Sequence, residues 1–306
     1  MKSPLSYTDN CTLLRSVDAF NLSKRWQHEL GINWQPPGNI TEIEYWRDEE
    51  TGLQFFVPEQ TAGEAGLYSQ LQCFPWYYMA EKWEFNAALD FLKTLSSGSR
   101  VLEIGVGQGA FLAKAKKAGL EVSGIELNPE GAKAARDKGF DIIEQDMASL
   151  HAEDPRAWDC ICAFQVLEHL AHPREFLDQA VALLRPGGLL LLSVPNAAVA
   201  RRLDPERIDL LDQPPHHMSH WDEEVFRSLE NLLPLKLKNV SFEPLAPYHV
   251  GWFVGSWAKI LEASAGKNAR RLVFNRLSRP LIRSLLAIGA RKLIRGHTLL
   301  VCMEKQ

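Results

Sequence analysis

The sequence predicts an α/β fold in which a mostly parallel sheet is covered by helices on both faces. Three observations carry this expectation. From Ser99 onward, short apolar runs alternate with amphipathic runs of helical period, the pattern of strands joined by crossover helices. The first apolar run, Val101-Leu102-Glu103-Ile104, enters Gly105, Gly107 and Gly109 on alternate positions and then turns helical. Glycines there leave bare backbone beside the positive end of a helix, where a ligand can lie. Polar residues close the later runs at their carboxyl ends, the edge at which open parallel sheets bind ligands.

Residues 1–74 are read as an N-terminal extension. Within it, Ile43–Arg47 and Leu53–Val57 form a hairpin about the turn Asp48-Glu49-Glu50-Thr51-Gly52. The aromatic run Phe74-Pro75-Trp76-Tyr77-Tyr78-Met79 leads into a helix expected over Pro75–Leu95. Its rings either pack in the core or bring Tyr77 or Tyr78 over the mouth of the glycine site. Strands are expected at Arg100–Ile104, Glu121–Ile125, Phe140–Gln145, Trp158–Phe164 and Gly188–Val194, with helices at Gly109–Ala118, Pro129–Lys138 and Arg174–Leu184. A further helix over Asp222–Asn231 has Asp222 or Ser219 as its cap.

The strand ends hold the chemistry. Strand two ends at Glu126, just over twenty residues past Glu103, where a carboxylate can accept both hydroxyls of a ribose. Strand three ends in Asp146-Met147, an acid for an adenine amine and a side chain for the ring face. Strand four ends in Gln165-Val166-Leu167-Glu168-His169, and strand five follows the tight turn Leu184-Arg185-Pro186-Gly187-Gly188.

Composition bounds the alternatives. With 46% hydrophobic and 24% charged residues the chain is an ordinary globular protein, and wholesale disorder is excluded. The net charge of −4 conceals an asymmetry: Lys259 to Arg295 carries +9 and the remainder −13. The five cysteines include no C-x-x-C pair, and buried reduced thiols are expected. Cys160 and Cys162 are expected to point to opposite faces of a strand, unsuited to a disulfide. No signal peptide and no run of the ~18–20 apolar residues needed to span a bilayer is seen, so a cytoplasmic location is expected.

The ordered set Glu103-Ile104-Gly105-Val106-Gly107-Gln108-Gly109, Glu126, Asp146, Val166-Leu167-Glu168-His169 and Leu184-Arg185-Pro186-Gly187-Gly188 resembles class I S-adenosylmethionine-dependent methyltransferases, in their ubiquinone-biosynthesis-like small-molecule branch. The resemblance covers about residues 76–247. It implies a Rossmann-like, seven-stranded methyltransferase sheet whose last strand, Thr298–Met303, runs antiparallel. It implies S-adenosylmethionine as cofactor, with Gly105, Gly107 and Gly109 near its methionine end and Glu103 at its amino group. Glu126 would then hold the ribose, Asp146 and Met147 the adenine, and Gln165 the methionine moiety, with Leu127 and Tyr78 also among the cofactor-binding residues. Some quinone-pathway relatives use a Glu-Val-x-Glu-His segment to hold a metal. Gln165 replaces its first carboxylate here, and no metal is expected.

Transfer from a sulfonium needs positioning and an acceptor with a nearby base. His169 is a candidate base or a hydrogen-bonded helix histidine. His216 and His217, in Pro214-Pro215-His216-His217-Met218-Ser219-His220-Trp221, are candidate base or acceptor-binding residues, or loop packing. The hairpin turn resembles a zinc ribbon that has lost its cysteines, leaving a metal-free remnant. The core is expected over 75–249 and 297–306, with 250–296 a basic amphipathic helical insertion. That insertion packs on the acidic body, lies on the inner face of a membrane or lids a lipid-like acceptor. No nucleic-acid partner is expected. Two other readings remain open, a nicotinamide-dependent oxidoreductase and a catalytically silent cofactor-binding module.

Overall fold

The computed structural model describes residues 1–75, 77, 79–153, 157–204 and 209–306. The chain opens with β1 (Cys11–Asp18), whose final carboxylate caps α1 (Ala19–Leu30) by accepting from the Asn21 N–H. The hairpin β2 (Glu42–Asp48) and β3 (Gln54–Val57) follows, then α2 (Ala65–Leu71) and α3 (Trp83–Leu92). Next come β4 (Arg100–Ile104), α4 (Ala110–Lys117), β5 (Glu121–Ile125), α5 (Pro129–Asp137), β6 (Asp141–Ile143), α6 (Met147–Glu153) and β7 (Trp158–Phe164). The chain continues through α7 (Pro173–Leu183), β8 (Leu184–Pro195), α8 (Ala197–Leu203), β9 (Ser219–His220), α9 (Glu223–Leu232) and β10 (Leu235–Pro244). It closes with α10 (Val250–Val273), α11 (Ser278–Ala287) and β11 (Arg295–Lys305).

Seven strands form one sheet in the order β10-β11-β8-β7-β4-β5-β6. The five from β8 to β6 pair in parallel, and β11 lies antiparallel to both β8 and β10. This is the expected Rossmann-like arrangement. After β6 the chain returns to the other side of β4, so the switch point falls between β4 and β7, at the glycine turn. Alternation along β7 divides the core. Ile161 and Ala163 join the cluster under α7 and α9, whereas Cys160, Cys162 and Phe164 join the cluster under α3 and α4. The two cysteines therefore share a face, with sulfurs 3.7 Å apart as free thiols. The expectation of opposite faces is corrected: a strand's period of two puts residues i and i+2 on one side.

A second sheet, order β1-β2-β3-β9, is antiparallel throughout. Its last strand comes from the loop after β8, so the first residues of the chain and that loop are built together. Trp26, Ile43, Tyr45 and Phe56 share a core cluster with Leu210 and Met218. The hairpin turn is held by the Asp48 carboxylate, which accepts from the hydroxyls of Ser3, Ser6 and Thr51, each at 2.7 Å. Burial acts to raise the pKa of Asp48, and these hydrogen bonds reverse it, so the group ends below its ordinary value.

The helix expected over Pro75–Leu95 is corrected to α3, Trp83–Leu92. Tyr77, Met79 and Ala80 line a cavity and are not helical. The insertion forms α10 and α11. Gly266 breaks the first with a φ of 82°, and Leu286 is the one buried residue of the second.

Candidate cofactor and acceptor site

A cavity of about 1520 Å³ opens at the carboxyl ends of the parallel strands. Its floor is the turn from β4 into α4. Gly105 and Gly109 adopt positive φ of 77° and 78°. A Cβ on Gly105 would lie 2.8 Å from a Val166 methyl, and one on Gly109 would lie 2.9 Å from the Phe140 ring. Neither position tolerates a side chain.

Two carboxylates flank this turn. Glu103 is 2% exposed, and its Oε2 faces no partner among the described residues. Burial pushes its pKa well above the ordinary carboxylate range. Glu126 accepts from the Gly107 N–H at 2.7 Å through one oxygen and from the Asn128 N–H at 2.7 Å through the other. It thus ties the end of β5 to the glycine turn, and each oxygen keeps a second lone pair. Burial outweighs those bonds and raises its pKa too.

The remaining sequence candidates fall around the same space. Leu127 is 72% exposed at the edge of the cavity, and Met147 is buried in the main core with one side toward it. Asp146 accepts from the Ser149 N–H at 2.7 Å, which lowers its pKa and caps the first turn of α6. Gln165 adopts a left-handed φ of 56° at the end of β7. Its backbone N–H donates to the Ser193 carbonyl and its side chain to the Ser193 hydroxyl. A non-glycine residue held in that region stores strain, which collects at functional sites. Tyr78 lies outside the described residues; Tyr77 lines the cavity.

The structure brings His169 against His216 and His217, from which the sequence separates it by 47 positions or more. The rings of His216 and His217 stack at 4.4 Å, and that of His169 lies 4.6 and 5.0 Å from them. All three line the cavity. Burial lowers His169 to about 3 and takes His216 well below its ordinary value, so both rings are neutral near pH 7. The N-terminal sheet fixes their loop. The Trp26 indole donates to the Pro214 carbonyl at 2.9 Å, the Gly63 N–H to Pro215 at 2.7 Å, and the Phe56 N–H to Met218 at 2.9 Å.

Three buried glutamates stand in the cavity wall, and two of them, Glu84 and Glu243, carry no role in the sequence reading. Glu84, Glu168 and Glu243 are 4%, 2% and 6% exposed, and burial raises all three, the last two to about 7. Glu168 is marked in the sequence by the Val166-Leu167-Glu168-His169 motif, where it stands as the second carboxylate of the segment in which some quinone-pathway relatives hold a metal. Glu84 and Glu243 meet only through the fold, from α3 and β10.

A family model described as a methyltransferase domain matches residues 76–232. The ubiquinone biosynthesis O-methyltransferase of Xylella fastidiosa (strain 9a5c) is 36% identical over 110 residues, 34% of this chain and 45% of the relative. The chain thus spans less than half the length of that curated relative. Among solved structures, coclaurine N-methyltransferase bound to N-methylheliamine and S-adenosylhomocysteine superposes with a TM-score of 0.47 at 16% identity, over 72% of each chain. The N-methyltransferase of Bradyrhizobium japonicum WM9 gives 0.46 at 18% identity, over 76% of this chain and 91% of that one. The family match takes in half of the chain and runs from α3 through the glycine turn and the histidine loop to α9, and on that ground the protein belongs to the methyltransferase domain family.

Proposed function

We propose that this protein transfers a methyl group from S-adenosylmethionine to a small or lipid-like acceptor held in the same cavity. The observation that carries the reading is the buried, unpaired oxygen of Glu103 beside the glycine turn. An isolated buried carboxylate is costly, and a cationic ammonium such as the cofactor's amino group offsets that cost. When bound, S-adenosylmethionine supplies an electrophilic methyl group on a sulfonium.

The chain's own residues then bind and orient. Gly105, Gly107 and Gly109 let the methionine end approach the backbone, and Gln165 borders it. Glu126 accepts the ribose hydroxyls on its spare lone pairs. Leu127 and Met147 supply apolar contact for the adenine ring, and Asp146 an acceptor for its amine. At the other end of the cavity, His169, His216 and His217 meet the acceptor. His169, at about 3, is too weak a base for proton removal near neutrality, whereas Glu243, at about 7, is well matched to it. The relative named for ubiquinone biosynthesis O-methylation supports an acceptor with a hydroxyl group. The insertion supports a lipid-like one: Leu277, Ile288 and Leu293 are 86%, 81% and 90% exposed among arginines, which suits a membrane surface.

Calorimetric titration with S-adenosylmethionine, S-adenosylhomocysteine and NADH tests the proposal. Micromolar binding of the first two and none of the third is expected. Glu126→Ala should weaken S-adenosylmethionine by about 1.5–3 kcal/mol, the scale of hydrogen bonds to a charged group. A wild-type protein that binds neither sulfur compound overturns the reading, and an undiminished Glu126→Ala overturns the ribose assignment.

A further inference from the structure

We propose that His169, His216 and His217 form a binding site for a divalent transition-metal ion, with one coordination position open to the cavity. One ring nitrogen of each lies within 4.8 Å of the other two. The hydrogen bonds of the rings decide which nitrogens are available. Nδ1 of His169 lies 2.6 Å from the His216 carbonyl, and Nδ1 of His216 lies 2.8 Å from the Leu211 carbonyl. Nδ1 of His217 lies 3.2 Å from the Asp212 carboxylate. Carbonyl and carboxylate oxygens only accept, so each Nδ1 carries the proton and donates it. With Nδ1 engaged in this way, Nε2 is the nitrogen that each ring has left to offer a metal.

The loop is built to hold this geometry. Besides its bonds to Trp26, Gly63 and Phe56, it is tied to the floor of the cavity by the Met218 N–H, which donates to the Glu168 carbonyl at 2.8 Å. The neighbouring group of Asp212, His217 and His220 is a poorer site. His220 places Nε2 2.9 Å from the Asp212 carbonyl and Nδ1 2.5 Å from the Tyr45 hydroxyl, so both nitrogens are engaged. Asp212 instead orients His217.

Three imidazoles select zinc, copper, iron or nickel over magnesium or calcium, and three protein ligands with an open position suit zinc. Zinc–nitrogen bonds of about 2.0–2.1 Å place tetrahedral ligand atoms roughly 3.4 Å apart, so the rings must draw together and the stacked pair His216 and His217 must turn apart for their lone pairs to meet on one ion. The Glu168 carboxylate, 3.7 Å from Nε2 of His169 and buried, helps to balance the charge. The open position takes an oxygen donor, water or the hydroxyl of an acceptor; only that last assignment rests on the methyltransferase reading.

The test uses full-length protein stripped with a chelator, without S-adenosylmethionine, so its outcome is separate from that of cofactor binding. Zinc chloride is titrated calorimetrically and cobalt chloride by visible absorption. Expected are one zinc per chain at micromolar affinity or tighter, cobalt d–d bands without a thiolate charge-transfer band, and a zinc-dependent rise in melting temperature. His216→Ala and His217→Ala should each weaken zinc at least about tenfold, and His28→Ala, exposed on α1, should leave it unchanged. Wild-type protein that takes up neither metal overturns the proposal. So does a thiolate cobalt band, or zinc affinity equal to wild type in both loop variants. Should those variants fail to fold, the wild-type stoichiometry and cobalt spectrum decide alone.

Discussion

Four glutamates line the cavity at less than a tenth exposure, Glu84, Glu103, Glu168 and Glu243, and each costs folding free energy when ionised. Glu243 shows the consequence best because its pKa, about 7, lies within a convenient range. Its folded value stands above the ordinary ~4.3 of an unfolded glutamate. The folded state therefore binds the proton more tightly, and the stability this contributes is full below about pH 4 and is lost as pH rises through 7. A rise of that size corresponds to roughly 4 kcal/mol at alkaline pH, and water reaching the cavity reduces it to about 1–2 kcal/mol. Glu243→Gln keeps an acceptor for Thr298 and removes the charge. The variant should be more stable than wild type by about 1–2 kcal/mol at pH 8, and the gap should narrow to less than half of that at pH 5. Urea unfolding at the two values measures this; a gap of equal size at both would mean that Glu243 is not the group that titrates.

The histidine loop is the element on which the N-terminal residues act. Trp26 is fully buried, and its indole holds the Pro214 carbonyl. Trp26→Phe leaves that carbonyl without its donor and leaves space beside the ring, costing about 1–3 kcal/mol. The glycine turn, Glu103 and Glu126 belong to the other sheet, so affinity for S-adenosylmethionine should stay within about twofold of wild type. Denaturant unfolding and calorimetry read the two effects separately; an affinity that falls in step with stability would show that the sheets act as one unit. The same element marks where the sequence stops being legible. The β4 strand, the glycine turn and Glu126 were readable because strand, turn and acid follow one another locally. β1 was not, because Leu13 and Leu14 are both largely exposed on adjacent positions and break the alternation that marks a half-buried strand. β9 is two residues long and exists only as the partner of Gln54 and Phe55. His169 and His216 are 47 positions apart, and their meeting depends on that pairing, which no local pattern announces.

At the scale of the whole molecule, charge and apolar surface are placed together. The segment Lys259 to Arg295 carries +9 against −13 for the rest, yet little of that charge meets the acidic body in ion pairs: Arg270 pairs with Glu262 inside the segment, and Arg295, at its end, approaches Glu223 of α9 at 4.0 Å. Leu272, Leu277, Leu281 and Leu285 are exposed on the same stretch. Had the basic helices served to cover the core, their apolar residues would be buried, and in α11 Leu286 alone is. No helix of the described residues is long and apolar enough to cross a membrane. Basic residues near an anionic bilayer contribute about 1 kcal/mol each and are screened by salt, whereas apolar insertion is not. Full-length protein should therefore sediment with vesicles containing anionic lipid, and much less with neutral ones. Raising salt should weaken the association, and Leu277→Asp with Leu281→Asp should weaken it further at constant salt while leaving cofactor affinity intact, because neither residue lines the cavity. Equal sedimentation of wild type and the double variant with anionic vesicles would remove the membrane from the proposal and leave the exposed leucines without an occupant.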